Sequence, residues 1–345
     1  MSKKIKLGII GASSFAQYHL DGIAECKNAE VAVICDIDME RAKKLADKYN
    51  IPEYCENYHD VLAREDIDAV TLPLPDQVHC QVTVDALMAG KHVLCEKPMA
   101  LNLDDCRKMI DAAKKSGKQL MVGQICRYTD AFIKAKAMVE DGEIGELFFV
   151  ESEYAHDYSR IGGVGNWRVT PERHPIVGGG CHAVDLLRWI AGNPEEVKAY
   201  SNNKVLTDWP IQDCTIGIFK FPNNVIGKVM TSVGCKRNYT MRTVLYGTEG
   251  TIIVDNTSPT LSIFKDVFRG EERYRGGLQE NVEIKVPVSI NSHNTAAEIS
   301  DFCQCLLEDR PVPTTGVEGA ITVAACLAVV EAAKTNENVK ISYDF

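Results

Sequence analysis

The first 125 residues alternate between short apolar runs and amphipathic stretches, and this alternation constrains the fold more than any other feature. Five apolar runs resemble strands that are buried on both faces of a sheet: "KIKLGII" (4–10), "VAVICD" (31–36), "DAVTLPL" (68–74), "HVLCEK" (92–97) and "QLMVGQI" (119–125). The stretches between them, such as 39–50 and 102–117, have helical periodicity. Strands alternating with helices at this spacing predict βαβ units and a doubly wound parallel sheet, an α/β fold.

The pattern changes after about residue 125. A helical stretch leads into a strand at 147–156, a glycine-rich polar loop follows, and a second helix is predicted from 181 to 191. Period-2 strands joined by the turn signals "PNN" and "TEG" then predict a large, mainly antiparallel open sheet. We therefore predict two domains: residues 1–123 form the α/β domain, and residues 124–345 form an α+β domain.

Charge and composition exclude several classes of partner. The 345 residues carry a formal net charge of -10, so no basic stripe is expected that could neutralise nucleic acid or an anionic membrane. The N-terminus turns polar within a few residues and no apolar run approaches ~18 residues, which favours a cytoplasmic protein. The 13 cysteines are mostly scattered and form no CxxC pair, so we expect reduced thiols rather than disulfides or a metal site.

The segment "GIIGASSFAQYH" joins the first predicted strand to a helix, where dinucleotide-binding proteins carry the fingerprint G-x-G-x-x-G/A. Gly11 occupies the first glycine position, Ala16 the last, and Ser13 replaces the second glycine, where its hydroxyl could donate to a phosphate. The N–H groups at the start of the helix also favour an anion. The segment therefore predicts a pyrophosphate site formed by Gly11, Ser13, Ser14, Phe15 and Ala16.

Asp36 ends the second predicted strand, where an acid accepts hydrogen bonds from ribose hydroxyls. Its charge would repel a 2′-phosphate and no arginine follows it directly in "CDIDME", so NAD is predicted over NADP. The alternative is that Asp36 only caps the next helix, but Asp38 fits that position better. The segment "LPLPDQVH" should border the nicotinamide ribose through Leu72, Pro73 and His79, although a histidine there is more often structural.

The strand "HVLCEK" leads into Glu96, Lys97 and Pro98 at the same edge of the sheet. Pro98 restricts Lys97 to an extended backbone, and the bond between them can be cis. A lysine beside a nicotinamide ring is suited to hydrogen-bond a substrate hydroxyl or to take its proton. The alternative is an ordinary surface pair of lysine and glutamate.

Four segments together closely resemble the glucose–fructose oxidoreductase/inositol dehydrogenase family (Gfo/Idh/MocA): the turn at Gly11, "AGKHVLCEKPMAL" (89–101), "VGQICRY" (122–128) and "GGGCHAVDLLRWIAG" (178–192). The resemblance spans essentially the whole chain, and E-K-P is its most specific part. It implies an N-terminal Rossmann domain and a C-terminal domain whose open sheet forms a homodimer or homotetramer. It also implies NAD(P)-dependent oxidation or reduction at a hydroxyl of a sugar, sugar acid or cyclitol.

The resemblance also assigns catalytic roles. Lys97 matches the lysine that contacts the reacting hydroxyl, with Glu96 before it, and His182 matches the catalytic histidine of the motif D-x-G-x-H-x-x-D. Asp185 matches the last acid of that motif, but its first aspartate falls at Gly178, so the usual relay of lysine, aspartate and histidine is incomplete. We predict His182 as the general acid/base, against the alternative of a structural histidine at a helix start.

The stretch 157–180 is long, rich in glycine and contains several cationic and aromatic residues, as functional loops often do. Substrate-binding candidates in and around it are Arg127, His156, Asp157, Trp167, Arg168 and His182. The arginines hint at a sugar with a carboxylate or phosphate group. Surface ion pairs with neighbouring glutamates explain them nearly as well.

Three classes of function are compatible with these features. The leading hypothesis is an NAD-dependent sugar or polyol dehydrogenase. A redox-neutral glycosidase or lyase that uses NAD transiently is the second, and a non-catalytic NAD-binding regulator is the third. The presence of both Lys97 and His182 counts against a regulator, because sensing NAD requires neither side chain.

Overall fold

The chain consists of two compact units. A computed structural model describes residues 3–161, 163, 166–265, 282–291 and 293–345. The first unit extends to Tyr128 and includes Asn294–Ala324 and Tyr343–Phe345, and the second contains the described parts of Thr129–His293 together with Ala325–Ser342. The first change of unit lies near the predicted boundary of 123/124. The return of 294–324 to the first unit differs from the prediction, because helical periodicity does not reveal which sheet a helix covers.

The sheet of the first unit is parallel and doubly wound, as the α/β prediction requires. Its described strands follow the spatial order β3-β2-β1-β4-β5-β6. The apolar runs form all but one of them, the exception being the short β3, whose first two side chains are exposed. The strands are β1 (Ile5–Ile10), β2 (Ala29–Cys35), β3 (Glu53–Cys55), β4 (Ala69–Leu72), β5 (His92–Cys95) and β6 (Leu120–Val122).

Local capping sets the ends of the helices in this unit. Asp38 accepts hydrogen bonds from the N–H groups of the first turn after it, which confirms its predicted capping role. Asn102 caps another helix, and Gly117 ends that helix at a φ of 67°. The helices are α1 (Ser14–Glu25), α2 (Met39–Tyr49), α3 (Tyr58–Leu62), α4 (His79–Met88) and α5 (Leu103–Ser116).

The second unit contains an open, mainly antiparallel sheet, as predicted. Its described strands follow the order β14-β13-β12-β11-β7-β10-β9-β8-β15, and only β7 and β10 pair in parallel. The helices that precede or interrupt them are α6 (Asp130–Glu140), α7 (Pro175–Gly178) and α8 (Cys181–Ala191). The strands are β7 (Leu147–Ala155), β8 (Glu196–Asn202), β9 (Cys214–Lys220), β10 (Ile226–Ser232), β11 (Thr240–Gly247), β12 (Gly250–Asp255), β13 (Thr260–Lys265), β14 (Val282–Pro287) and β15 (Val339–Lys340).

The two faces of this sheet differ in burial. Phe219 on β9 and Val229 on β10 are buried, whereas the alternate residues Ile216 and Ile218 are 41% and 43% exposed. Register places Tyr200 of β8, 66% exposed, opposite Ile216 on that same face. The sheet therefore presents an apolar patch that this chain alone leaves in contact with water.

Two helices complete the chain, α9 (Thr295–Glu308) and α10 (Gly316–Thr335). Helix α9 lies against α1 in the first unit: the Thr295 hydroxyl donates to the Tyr18 carbonyl at 2.8 Å, and a Cβ on Gly22 would come within 2.8 Å of the Ala296 nitrogen. In the described part of the chain, α10 is the one helix with the length and apolar composition of a membrane span. However, 67% of its most apolar 18 residues are buried inside the protein, as in a core helix.

All thirteen cysteines are free thiols in this structure. Eight of them are buried and the other five are partly buried. Burial raises the pKa of several thiols, for example Cys106 to about 12. These cysteines therefore behave as small apolar side chains rather than nucleophiles.

Candidate active site

The turn after β1 has the backbone that the fingerprint predicts. Gly11 has a φ of 110°, and an ideal Cβ on it would lie 2.7 Å from the Pro73 carbonyl oxygen, so both conformation and space require glycine. The hydroxyl of Ser13 donates to that same oxygen at 3.3 Å and does not cap α1. The first-turn N–H groups of α1 can therefore bind an anion.

Asp36 lies beside this turn and is bonded more extensively than expected. Its Oδ2 accepts from the N–H of Ala12 at 2.6 Å, so the carboxylate helps to fix the glycine turn. Its Oδ1 is 2.7 Å from Nη2 of Arg41 on α2. Nε of the same arginine lies 3.3 Å from Asp38. No arginine follows Asp36 directly in "CDIDME", but Arg41 comes immediately after that segment, and the first turn of α2 brings its guanidinium back to the Asp36 carboxylate.

The loop after β4 is held in place by His79. Its Nδ1 is 2.9 Å from the Pro98 carbonyl and its Nε2 is 3.1 Å from the Leu74 carbonyl. Both ring nitrogens thus face acceptors, an arrangement that favours the doubly protonated ring. Burial would lower the pKa of His79, but Cys95, Asp76 and the Pro98 carbonyl raise it to about 10. These contacts favour the structural role for His79 over direct cofactor contact.

Glu96 and Lys97 lie where β5 ends, and the Lys97–Pro98 peptide bond is cis, as the sequence allows. Glu96 is buried and accepts from the Lys97 N–H at 3.2 Å. Its other oxygen is 2.9 Å from Nε2 of His19, a fully buried residue of α1. Burial raises the pKa of Glu96, but His19, Lys97 and His79 outweigh burial and hold that pKa below its usual value.

These residues fit a dinucleotide. The turn at Gly11 permits close backbone approach, the first turn of α1 offers N–H donors, and Asp36 offers an acceptor for ribose hydroxyls. Ala16 is fully buried, as close packing of α1 on β1 requires, and Leu72 is buried at the end of β4. Ser14 and Phe15 are the first two residues of α1.

In the second unit, His182 belongs to a set of imidazole and phenol rings. His182 is the second residue of α8 and 1% exposed, and its ring centroid lies 6.1 Å from that of Tyr154. The Tyr154 hydroxyl is 3.1 Å from Nδ1 of His156 and 2.9 Å from the Tyr158 hydroxyl. We call this set the ring cluster: Tyr154, His156, Tyr158, His182, Tyr239 and His293.

One phenol of the ring cluster has a strongly shifted pKa. Burial, together with the neighbouring Tyr158 and Tyr239 hydroxyls, raises the pKa of Tyr154 well above its usual value. Tyr154 therefore remains a neutral phenol that can both donate and accept. Such a cluster of imidazoles and phenols suits the recognition of several hydroxyl groups.

Asp185 lies one turn after His182 but has Arg188 as its partner. Its Oδ1 is 3.1 Å from Nη1 of Arg188, and both side chains are almost fully buried. Arg188 also donates to Asn193 at 3.1 Å. The role of Asp185 as an acid that orients His182 stays a prediction.

The three glycines before α8 each lie against another side chain. A Cβ on Gly178 would overlap the Arg173 guanidinium and lie 2.5 Å from its Nη2. A Cβ on Gly179 would lie 2.7 Å from both Tyr154 Cε1 and the Tyr158 hydroxyl. The glycine run therefore packs directly on the ring cluster and on a buried arginine.

The other predicted substrate residues fall in two environments. The Arg168 guanidinium lies 4.3 Å from the Trp167 ring centroid, and Asp157 is 3.0 Å from Lys236. Hydrogen bonds from Ser159, together with Lys236, lower the pKa of Asp157 to about 2. Residues 162, 164 and 165 of the predicted loop lie outside the described residues.

Arg127 belongs to the first unit, where its guanidinium is 3.0 Å from Glu318. This contact ties the loop after β6 to the first turn of α10. The predicted substrate role of Arg127 stays a prediction. Among the residues that the structure describes, no group of three or more His, Cys, Asp or Glu side chains could hold a metal ion.

Sequence reasoning missed several residues of both units. His19 and Arg41 reach the predicted site from helices whose periodicity does not mark single side chains. In the second unit His156 was a predicted residue, whereas Tyr154, near the end of β7, and Tyr158, just beyond that strand, were not. Tyr239 and His293 were also not predicted.

The fold and the glycine turn together define an NAD-binding oxidoreductase of the Rossmann class. Residues 5–124 match the model described as "Oxidoreductase family, NAD-binding Rossmann fold", and residues 132–253 match the "GFO/IDH/MocA C-terminal domain". The chain belongs to the Gfo/Idh/MocA oxidoreductase family, as the E-K-P segment indicates.

Named relatives act on cyclitols and sugars. The chain is 27% identical to 1,5-anhydro-D-fructose reductase of Ensifer adhaerens, over 97% of this chain and 98% of the relative. It is 28% identical to inositol 2-dehydrogenase of Salmonella typhimurium, over 71% and 72%. A levoglucosan dehydrogenase solved with NADH and L-sorbose has a similar fold, with a TM-score of 0.89 at 20% identity over 99% of this chain and 100% of that chain.

Proposed function

We propose that this protein is an NAD-dependent dehydrogenase that transfers hydride between the nicotinamide and a hydroxyl-bearing carbon of a sugar, sugar acid or cyclitol. One observation carries the proposal: the Gly11 turn, Asp36 and Lys97 follow β1, β2 and β5 at one edge of the sheet. Ligands of doubly wound sheets bind beyond the carboxyl ends of the strands. The relatives named above support a polyhydroxylated substrate.

The first unit would hold the cofactor through three groups. The N–H groups at the start of α1 and the Gly11 turn would bind the pyrophosphate, and Asp36 would accept from the ribose hydroxyls. When bound, NAD supplies the hydride acceptor. We propose NAD over NADP because a 2′-phosphate would meet the Asp36 carboxylate, although Arg41 reduces that repulsion.

Two side chains would act on the reacting hydroxyl group: one would bind its oxygen and the other would transfer its proton. Lys97 would hydrogen-bond the oxygen of the reacting hydroxyl and stabilise negative charge that develops on it. His182 would take the hydroxyl proton as general base in oxidation and return it in reduction. Glu96 acts as a positioning residue, since its carboxylate bonds to the Lys97 backbone.

The test is NADH formation from NAD and a panel of sugars, cyclitols and sugar acids. Lys97→Ala should lower kcat by about 10²- to 10⁴-fold while the Kd for NAD stays unchanged. Lys108→Ala is the matched control, because this lysine is exposed on α5 and pairs with Asp105. Unchanged turnover in Lys97→Ala would remove this lysine from the mechanism.

The same panel separates the other two functions. Consumption of a glycoside with catalytic NAD and no net NADH would indicate the redox-neutral enzyme. Binding of NAD without turnover of any panel member would indicate the regulator. Either result would contradict the dehydrogenase proposal.

We further propose that the second unit assembles a homodimer or homotetramer through its exposed sheet face. Tyr200, Ile216 and Ile218 form an apolar patch there, and such patches are common at interfaces between identical subunits. Ile218→Glu should shift the mass measured by sedimentation towards the monomer. Ile37→Glu, at a residue 85% exposed in the first unit, is the control.

A cytoplasmic location is also proposed. The thirteen free thiols suit a reducing compartment, where disulfides do not persist. Cell fractionation with immunoblotting tests this, and recovery in an oxidising compartment would contradict it.

A further inference from the structure

A buried histidine lies between the cofactor turn and the segment that carries Lys97. His19 is fully buried on α1, about one turn after the residues predicted to bind the pyrophosphate. Its ring meets the ring of Phe15, four residues earlier, edge-on at a centroid distance of 5.6 Å. Its Nε2 is 2.9 Å from Oε1 of Glu96, which directly follows β5. His19 therefore connects α1 to the residue before Lys97.

The carboxylate of Glu96 accepts hydrogen bonds from two sides. Burial raises the pKa of Glu96, but its bond to His19 and the nearby Lys97 hold that pKa below its usual value. The group is therefore ionised and can only accept, so Nε2 of His19 carries the proton of their bond, whatever the net charge of the ring. The second oxygen, Oε2, accepts from the Lys97 N–H at 3.2 Å. One carboxylate thus links His19 to the backbone of Lys97.

The Glu96 carboxylate is also confined on the side of β6. An ideal Cβ on Gly123, the residue after β6, would lie 3.3 Å from Oε1 of Glu96 and 3.5 Å from the Cys95 carbonyl oxygen. The Gly123 N–H donates to that same carbonyl at 2.8 Å, which fixes this backbone to the end of β5. Because His19 approaches Oε1 from α1, this oxygen is held between α1 and Gly123.

Stability alone does not explain an imidazole at residue 19. Nδ1 of His19 is buried and has no hydrogen-bond partner in the part of the chain that the structure describes, and such an unsatisfied atom is unfavourable. Apolar residues in place of a buried polar pair are often as stable or more stable. The contact between His19 and Glu96 is better explained by the neighbouring Lys97, whose side chain needs a fixed position.

We propose that His19 is a positioning residue that acts through Glu96 to fix the Lys97 side chain relative to α1. This inference rests on the proposed dehydrogenase function, in which Lys97 binds the oxygen of the reacting hydroxyl. Without the His19 donor, the Glu96 carboxylate can rotate away from the Lys97 N–H, and the ammonium shifts relative to the helix that would bind the pyrophosphate. A displacement of about 1 Å at the reacting atoms can lower a rate about 10²-fold.

The first test compares three replacements of His19. Nε2 of glutamine is the same number of bonds from Cα as Nε2 of histidine, so His19→Gln should keep kcat within about 3-fold of the wild type. The amide of His19→Asn is one bond shorter, and His19→Leu has no donor. Both should lower kcat about 10- to 100-fold, while the Kd for NAD changes less than about 3-fold. His59→Leu, at an exposed histidine of α3, is the control and should keep the wild-type kcat.

The second test needs no turnover. Amide hydrogen exchange of residues 94–101, measured by mass spectrometry, should be faster in His19→Leu and His19→Asn, because the acceptor of the Lys97 N–H is no longer fixed. His19→Gln should restore the wild-type exchange. Residues 103–116 of α5 are the internal reference. Equal acceleration there would show a general loss of stability and would overturn the inference.

The kinetic results separate this inference from the proposed function. A wild-type kcat in both His19→Leu and His19→Asn, or an equal loss in His19→Gln and His19→Asn, would defeat only the role of His19. If the wild type forms no NADH from any substrate while hydrogen exchange follows the expected order, the proposed function fails and the link from His19 to Lys97 stands.

Discussion

Replacing Glu298 by leucine should stabilise the first unit. Glu298 on α9 is fully buried, and neither carboxyl oxygen has a hydrogen-bond partner among the described residues. Burial, and the nearby charge of Glu96, raise its pKa well above the usual value. Glu298 is therefore a neutral acid whose polar atoms are unsatisfied, at a cost of about 1–3 kcal/mol. Leucine of similar volume removes that cost.

The expected gain depends on pH in a definite direction. Because the pKa of Glu298 is raised in the folded state, the native protein binds more protons than the unfolded chain between about pH 4.3 and that raised pKa. The contribution of the protonated group to stability is complete below about pH 4.3 and is lost as the pH rises. The advantage of Glu298→Leu should therefore be larger at pH 8 than at pH 5.

Urea denaturation at both pH values, with wild type, Glu298→Leu and Glu298→Gln, measures this. Glutamine removes the ionisation but keeps two polar atoms, so it should abolish the pH dependence and gain less stability than leucine at pH 5. We expect the leucine variant to be about 1–3 kcal/mol more stable at pH 5 and to gain more than this at pH 8, while the dependence of the unfolding free energy on urea concentration stays unchanged. A leucine variant that is less stable than wild type by more than about 1 kcal/mol at both pH values would refute the reasoning.

Three further predictions concern single residues. Gly11→Ala places a Cβ 2.7 Å from the Pro73 oxygen, at a residue whose φ is 110°. The Kd for NAD, measured by calorimetry, should therefore rise at least about 10-fold. An unchanged Kd would contradict the proposed role of the turn. Arg41→Ala leaves the Asp36 charge uncompensated, so the ratio of the NADP Kd to the NAD Kd should rise several-fold, and a fall would show that Arg41 does not aid NADP. Burial lowers the pKa of His174 to about 4, so its neutral form contributes stability above about pH 6.5 that is lost as the pH falls towards 4. In His174→Gln the free energy of unfolding, measured with urea, should change less with pH between about 4 and 6.5 than in the wild type. An equal pH dependence in the two proteins would contradict this.

The sequence predicts the fold well where burial on both faces leaves an apolar run. Strands β1, β2, β4, β5 and β6 all satisfy this condition, whereas Glu53–Cys55 lies at the sheet edge with exposed side chains and leaves no such signal. The assignment of α9 to the first unit depends on long-range contacts, such as that between Thr295 and Tyr18. No periodicity within α9 itself encodes them.

The residues of the candidate site also differ in how far the sequence reveals them. Gly11 and Lys97 are recognisable because their roles depend on backbone conformation and on position after a strand. Arg41 and His19 make their contacts through side chains that reach back from a helix, so spacing in the sequence does not reveal their partners. The exchange at Gly178 was visible only as a missing aspartate, and the cation beside it required the structure.

Two buried glutamates of the first unit bear on which group controls the pH dependence of turnover. Glu96 and Glu298 repel each other's ionisation, and His19 bonds to Glu96 alone, so Glu96 carries the charge and Glu298 the proton. With Glu96 ionised and Glu298 protonated, we expect the acidic limb of kcat/KM to come from an imidazole. His182→Asn should abolish that limb as well as most of the rate. An acidic limb that persists unchanged in the residual activity would place the titrating group outside His182, with His156 and His293 as the next residues to replace.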